Sequence, residues 1–211
     1  YIYSMQVYVI FGKHELALVA DQKAAQFVAP IFAAVPHYST YMFFHGLLHL
    51  DLAIRQKDYV LPETVNTFMA YLGRLSVINP ANFEHKHLLL QAMKLQHEGK
   101  TIEALNHFES SIQSAQKYKF VNNLAIAYER TASLWLTEGR PQYALYNIKQ
   151  AIISFTQWGA FAKVKQLQQQ YADIINQLPG MEQEEAVTSP DVIPTDHLDM
   201  MSLFKASQAL S

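Results

Sequence analysis

The residues with the clearest capacity for chemistry lie in the segment HGLLHLD, which contains His45, His49 and Asp51. Histidines four residues apart share one face of a helix, and this is a spacing at which two imidazoles bind zinc. The glutamate of the HExxH motif is absent, however, and Asp51 lies about 160° round the helix from His49. We therefore interpret the two histidines as amphipathic residues of a packed hairpin and predict no metal site.

The other polar motifs also lack a catalytic arrangement. In the segment EHKH (84–87), His85 and His87 point to different faces, which indicates a solvated helix start. The sequence contains no G-x-x-x-x-G-K-[ST] loop, no G-x-G-x-x-G loop and no G-x-S-x-G turn. We therefore predict no catalytic residue, no cofactor and no enzyme activity in this chain.

Aromatic side chains offer a different kind of site. On the concave side of a helical solenoid they can line a groove for a peptide or a small ligand. Tyr118, Tyr143 and Tyr146 are the candidates for such a groove, while the spacing of most other aromatic residues is typical of core positions.

Composition limits the classes of function. The 211 residues include 16 basic and 18 acidic side chains, and a net charge of −2 argues against general binding of nucleic acid. The absence of Cys excludes disulfides and suits a reducing cytoplasm. The longest apolar run is too short for a membrane span, and the amino terminus lacks the pattern of a signal peptide. The chain begins at Tyr1, without a Met and in the middle of a helical pattern, so we expect it to be a piece of a longer protein.

An internal repeat organises the helices that must position these residues. A shift of 40 residues superimposes one helical hairpin on the next, large residue on large and small on small. Gly99 and Gly139 then follow the first helix of each hairpin as left-handed C′ residues. The aligned positions are Leu88, Ala92, Leu95, Gly99, Ala104, Phe108 and Ser111 in the first copy and Tyr128, Ala132, Trp135, Gly139, Ala144, Ile148 and Ala151 in the second.

A weaker copy of the hairpin opens the chain. Gly12, Ala17 and Ala24 have the spacing of Gly99, Ala104 and Ser111. A divergent pair of helices follows at about 40–56 and 62–77. The sequence thus predicts about eight helices before residue 178, in a short right-handed solenoid of antiparallel hairpins.

The carboxyl-terminal part is predicted to close this stack. Gly159 ends a helix, Trp158 packs back on the preceding hairpin, and Ala160 precedes a last helix. We assign residues 1–178 to the helical repeat domain. Residues 179–197 are acidic and proline-containing, which is typical of a linker, and 198–211 begin a further helix.

Several phrases of the chain together resemble a known protein region. They are NPANFEHKHLLLQAMKLQHEGKTIEALNHFESSI, FVNNLAIAYERTASLWLTEGRPQYALYNIKQAI and QWGAFAKVKQLQQQY, followed by LDMMSLFKASQALS. Their order is similar to the tetratricopeptide-like helical region of large multidomain signalling proteins. Those proteins join a serine/threonine-kinase-like domain, an AAA or STAND-type ATPase, the helical region, a GAF domain and often a histidine kinase of a two-component system.

The resemblance implies a non-catalytic cytoplasmic scaffold that relays between a neighbouring ATPase and sensor or kinase domains. Its partners would be proteins, either neighbouring domains or a signalling partner, and a homodimer through exposed terminal helices stays open. The alternative is a ligand-sensing repeat domain of a STAND-type ATPase regulator. No catalytic residue belongs to the family's helical region, and the phrase YERT (128–131) departs from its pattern.

Overall fold

A computed structural model describes residues 1–28 and 37–177, and these residues form helices without any strand. The predicted all-α class is confirmed. The ten helices of the described residues are α1 (Ile2–Ile10), α2 (His14–Val28), α3 (His37–Arg55), α4 (Glu63–Ile78), α5 (Pro80–His97), α6 (Thr101–Lys117), α7 (Val121–Thr137), α8 (Pro141–Gln157), α9 (Phe161–Gln170) and α10 (Ala172–Gln177).

The two repeats form the hairpins α5–α6 and α7–α8, whose helices pack closely. Ala92 and Ala104 in the first hairpin, and Ala132 and Ala144 in the second, are fully buried. Small side chains at these four positions let paired backbones approach, while Phe108 fills the space beside them. Leu88, Leu95 and Trp135 lie half-buried at the edge of the core.

Glycines with left-handed backbone end the first helix of each hairpin. Gly12, Gly99 and Gly139 have φ of +66°, +75° and +66°. Gly159 follows α8 in the same conformation, with φ of +83°. A side chain with a Cβ is strained there, so glycine fixes the position of each turn.

The end of the helical stack differs in detail from the prediction. The expected single last helix is interrupted at Tyr171 into α9 and α10. The described residues contain ten helices, where about eight were predicted. Trp158 covers Phe155 at a ring distance of 6.2 Å but stays 39% exposed. The residue that fills the core at this end is therefore Phe155. The predicted linker and final segment, 179–211, lie outside the described residues.

Helix α3 is the central element, because it contacts α1, α2, α4 and α5. Residues Tyr41 to Ala53 are buried without interruption. Gly46 allows the close approach of α5: a Cβ at this position would lie 2.8 Å from Leu90 Cδ1. No helix of the described residues is both long enough and apolar enough to cross a membrane.

Candidate functional site

Two buried aspartates, each bonded to histidine, lie on neighbouring helices. The first, Asp21 on α2, faces His45 and His49 on α3. His45 Nδ1 lies 2.8 Å from Asp21 Oδ1, and His49 Nε2 lies 3.2 Å from Asp21 Oδ2. One carboxylate thus bridges two imidazoles that the helical spacing of four residues places side by side, with ring centroids 4.3 Å apart.

Hydroxyl groups occupy the other side of both rings. His45 Nε2 is 2.9 Å from Thr64 Oγ1 on α4, and His49 Nδ1 makes a short hydrogen bond with the Tyr59 hydroxyl. We call this group of five the Asp21 cluster: Asp21, His45, His49, Tyr59 and Thr64. Its aspartate and histidines are 5–6% exposed, whereas Tyr59 is half-buried and Thr64 is exposed. The cluster therefore lies one side chain below the surface.

The carboxylate of the Asp21 cluster is ionised. Burial by itself would raise the pKa of Asp21, but the hydrogen bonds and positive charge of His45 and His49 outweigh it and hold the pKa well below its ordinary value. An ionised carboxylate only accepts hydrogen bonds. His45 Nδ1 and His49 Nε2 must therefore be the donors.

The second buried aspartate, Asp51, has permanent cations as partners. Asp51 Oδ1 accepts from Arg130 of α7 and from Arg55, each at 3.2 Å, and Asp51 Oδ2 accepts from His14 of α2 at 2.6 Å. We call this group of four the Asp51 cluster: Asp51, His14, Arg55 and Arg130. It links α2, α3 and α7, although Arg130 is 79 residues from Asp51 in sequence.

Charge stabilises the ionised form of Asp51. Burial acts to raise the pKa of this carboxyl, but the guanidinium of Arg130, with His14 and Arg55, keeps the pKa well below its ordinary value. Arg130 is only 7% exposed, so its charge depends on the aspartate for compensation. This ion pair is a structural bond between distant parts of the chain.

A small cavity lies beside the Asp51 cluster. It has a volume of about 50 Å³ and is lined by Arg55, Arg130, Glu129 and Lys163, among other residues. Lys163 of α9 is buried and donates to Glu129 at 2.7 Å. The Nε of Arg130 is buried without a hydrogen-bond partner. The lining of the cavity thus includes three cationic side chains and one acidic one.

The structure adds a third residue to the two candidate histidines. His45 and His49 do share a face, and Asp51 points away from them, as the helical angle indicates. The third member of the histidine group is Asp21, and the ligand atoms of these three residues all lie within 4.8 Å of one another. Sequence spacing could not reveal Asp21, because it lies on another helix, 24 residues before His45.

The prediction of a solvated helix start at His85 and His87 was wrong for His85. This residue is 1% exposed, and Asn123 of α7 donates to its Nε2 at 2.6 Å. His87 is half-buried and packs over Gly73 of α4. Helix α5 contacts α3, α4, α6 and α7, so both faces of its first turns are covered.

The three candidate tyrosines do not meet as one group. Tyr143 packs against Trp135 with ring centroids 4.8 Å apart, and it is 52% exposed. Tyr146 lies on the same helix and is 54% exposed. Tyr118, at the end of α6, contacts Lys117, and no ring contact of the described residues joins it to the other two. A tyrosine-lined groove stays a prediction.

Comparisons with known proteins add no family assignment. Models of known protein families give no match to this chain, and comparisons with curated proteins and with solved structures give none.

Proposed function

We propose that the chain is a non-catalytic helical-repeat scaffold of a multidomain cytoplasmic signal-transduction protein, where it relays between a neighbouring ATPase and sensor or kinase domains. The observation that carries this proposal is contact between distant parts of the helical stack. Gln166 of α9 donates to the carbonyl oxygen of Phe11, which lies 155 residues earlier, at 3.2 Å. Arg130 and Asp51 join α7 to α3 in the same region.

Such contacts suit a relay because they are directional. Hydrogen bonds and buried ion pairs weaken steeply when their geometry changes, unlike apolar contacts. A displacement of α9 would therefore act on the turn between α1 and α2 through Gln166, and on α7 through Lys163 and Glu129. A ligand or domain bound at either end would then shift the other, which is a coupling of two sites.

The first hairpin offers a surface for a protein partner. Terminal repeats of a solenoid need a polar outer face or a covering element. Helices α1 and α2 instead expose large apolar side chains, each at least half accessible: Tyr1, Tyr3, Val7, Leu16, Val19 and Phe27. An apolar surface of this kind is typical of an interaction site.

The first test is the reading frame on both sides of the chain. A P-loop ATPase encoded before Tyr1 and a GAF-like domain encoded after Ser211 would support the proposal. A start codon directly before Tyr1 and a stop codon directly after Ser211 would contradict it.

The second test measures coupling in the full-length protein. Gln166→Ala removes the bond to Phe11, and we expect it to reduce the response of ATP hydrolysis to sensor input while basal hydrolysis stays unchanged. Gln168→Ala, on an exposed position of α9, is the matched control. An undiminished response in Gln166→Ala would argue against the relay.

A second candidate function is ligand sensing by the helical repeats, and the cavity beside Arg130 favours it. A cavity lined by the cationic side chains of Arg55, Arg130 and Lys163 is suited to a small anion. Acetate or phosphate should then raise the melting temperature in a saturable way. The rise should be smaller in Arg55→Gln. A rise no greater than that given by chloride at equal ionic strength would exclude this candidate.

A further inference from the structure

We propose that the Asp21 cluster is a binding site for a first-row divalent metal ion of the zinc class, held by Asp21, His45 and His49. Two imidazole nitrogens and a carboxylate oxygen form a donor set that Zn²⁺ accepts, and three protein ligands leave one position for water. This inference is independent of the proposed scaffold function.

The geometry places the three donors around one point. Zinc bonds of about 2.0–2.1 Å put tetrahedral ligand atoms about 3.3 Å apart. The observed separations to the Asp21 oxygens are 2.8 Å from His45 Nδ1 and 3.2 Å from His49 Nε2, and all candidate ligand atoms lie within 4.8 Å of each other. The two nitrogen–oxygen separations are thus within about 0.5 Å of the spacing that the ion needs.

The partners outside the donor set also fit. Histidine ligands in metal sites donate their second ring N–H to an oxygen atom, which fixes the tautomer. Here the second nitrogens, His45 Nε2 and His49 Nδ1, already face the hydroxyls of Thr64 and Tyr59. A hydroxyl can donate or accept, so the same two oxygens serve the metal-free and the metal-bound tautomers.

At a pH at which both imidazoles are neutral, binding would thus exchange tautomers and need no net proton loss. In the metal-free protein, His45 Nδ1–H and His49 Nε2–H point at Asp21. With the ion bound, both protons lie on the opposite nitrogens and are donated to Thr64 and Tyr59. The lone pairs that face Asp21 then coordinate the metal together with the carboxylate.

Charge favours a cation at this point. Among the described residues, no lysine or arginine nitrogen lies within 4.0 Å of the Asp21 carboxylate, in contrast to Asp51. The nitrogen atoms that contact this buried negative charge in the described residues are therefore those of imidazoles, not of permanent cations. The exposed Thr64 and half-buried Tyr59 separate the site from solvent by one layer, which gives an ion a short route.

The test begins with the full chain, stripped by a chelator and titrated with Zn²⁺. We expect saturable uptake of one equivalent per chain and a rise of melting temperature with Zn²⁺ concentration. Long-range ¹H–¹⁵N spectra should show His45 changing from the Nδ1–H to the Nε2–H form and His49 changing in the opposite direction. These spectra are recorded on the wild-type chain, so this part of the test does not require any variant to fold.

Variants then locate the ion. Asp21→Asn and His49→Gln should each lower the affinity for Zn²⁺ at least tenfold, the lower limit for losing metal-site interactions. His14→Gln, which removes a histidine bonded to Asp51, is the matched control and should retain uptake. Absence of saturable uptake, unchanged tautomers, or uptake equal in wild type and in both cluster variants would each overturn the proposal.

Discussion

Both buried aspartates are bonded to histidine. Among the described residues, Asp51 is also paired with arginine, whereas Asp21 is not. Asp21 and Asp51 are 6% and 5% exposed, and each accepts a hydrogen bond from histidine. Asp51 is also bonded to Arg55 and Arg130, whose charge does not depend on pH in the range where proteins fold. Asp21 has imidazoles as its nitrogen partners in the described residues.

This difference separates an ion pair with a structural role from a site whose ring protons can move and which can bind a metal ion. A guanidinium keeps its charge and its five donors, so the Asp51 cluster has one stable arrangement. Imidazoles can exchange tautomers or coordinate a metal, so the Asp21 cluster has more than one. The following variants test that contrast, beginning with the largest expected effect.

Asp51→Asn should be the most damaging of these changes. It leaves Arg130 buried without a full negative charge beside it, and loss of one partner of a buried ion pair costs about 3–5 kcal/mol. The free energy of unfolding from urea denaturation measures the loss. Glu98→Gln, at an exposed pair with Lys100, is the control and should change stability little. A loss below about 1 kcal/mol for Asp51→Asn would show that Arg130 is not compensated by this aspartate.

Asp21→Asn should cost less in the metal-free protein, about 1.5–3 kcal/mol, the range for hydrogen bonds to a charged group. The imidazoles of His45 and His49 can become or remain neutral, so no permanent charge is stranded. The same urea measurement, made in chelator, compares this variant directly with Asp51→Asn. An equal or larger loss for Asp21→Asn would contradict the contrast between the two clusters.

A third buried histidine, His85, has no carboxylate partner in the described residues and should respond to pH in the opposite sense to a histidine whose pKa a carboxylate raises. Burial, with a contribution from the charge of Lys86, lowers its pKa from 6.5 to about 3. Between these values the unfolded chain binds a proton that the folded chain excludes. Stability should therefore fall as pH falls through this window, by up to about 1.4 kcal/mol per pH unit, and the His85 contribution should level off below about pH 3.

The measurement is the difference in pH dependence between wild type and His85→Gln, which preserves a polar side chain next to Asn123. We expect the slope between about pH 6 and 4 to be smaller in the variant. His97→Gln, at the exposed last residue of α5, is the control and should keep the wild-type slope. Parallel curves for wild type and His85→Gln would show that folding does not lower the pKa of His85.

Local patterns in the sequence predict much of the fold and only part of these sites. Glycine positions and apolar spacing predict the hairpins, because helix ends and packing faces depend on neighbouring residues. The helical angle also predicts that His45 and His49 converge and that Asp51 diverges. Asp21 and Arg130 could not be assigned in this way, because their contacts join helices that are distant in sequence.

The error at His85 has a related cause. The polar segment EHKH suggests a solvated turn, but burial is decided by four surrounding helices and by the amide of Asn123. Among the described residues, Arg130 forms the ion pair with the longest separation in sequence.

His14→Gln should have the smallest effect of the four changes, below about 1 kcal/mol. The His14 side chain is 24% exposed, and an amide at this position can still donate to Asp51. The aspartate also retains Arg130 and Arg55, so no charge is left without a partner. Urea denaturation in chelator gives the loss on the same scale as the two aspartate variants. A loss comparable to that of Asp51→Asn would mean that the imidazole, not the guanidinium, is the main partner of Asp51, and the distinction between the two clusters would then fail.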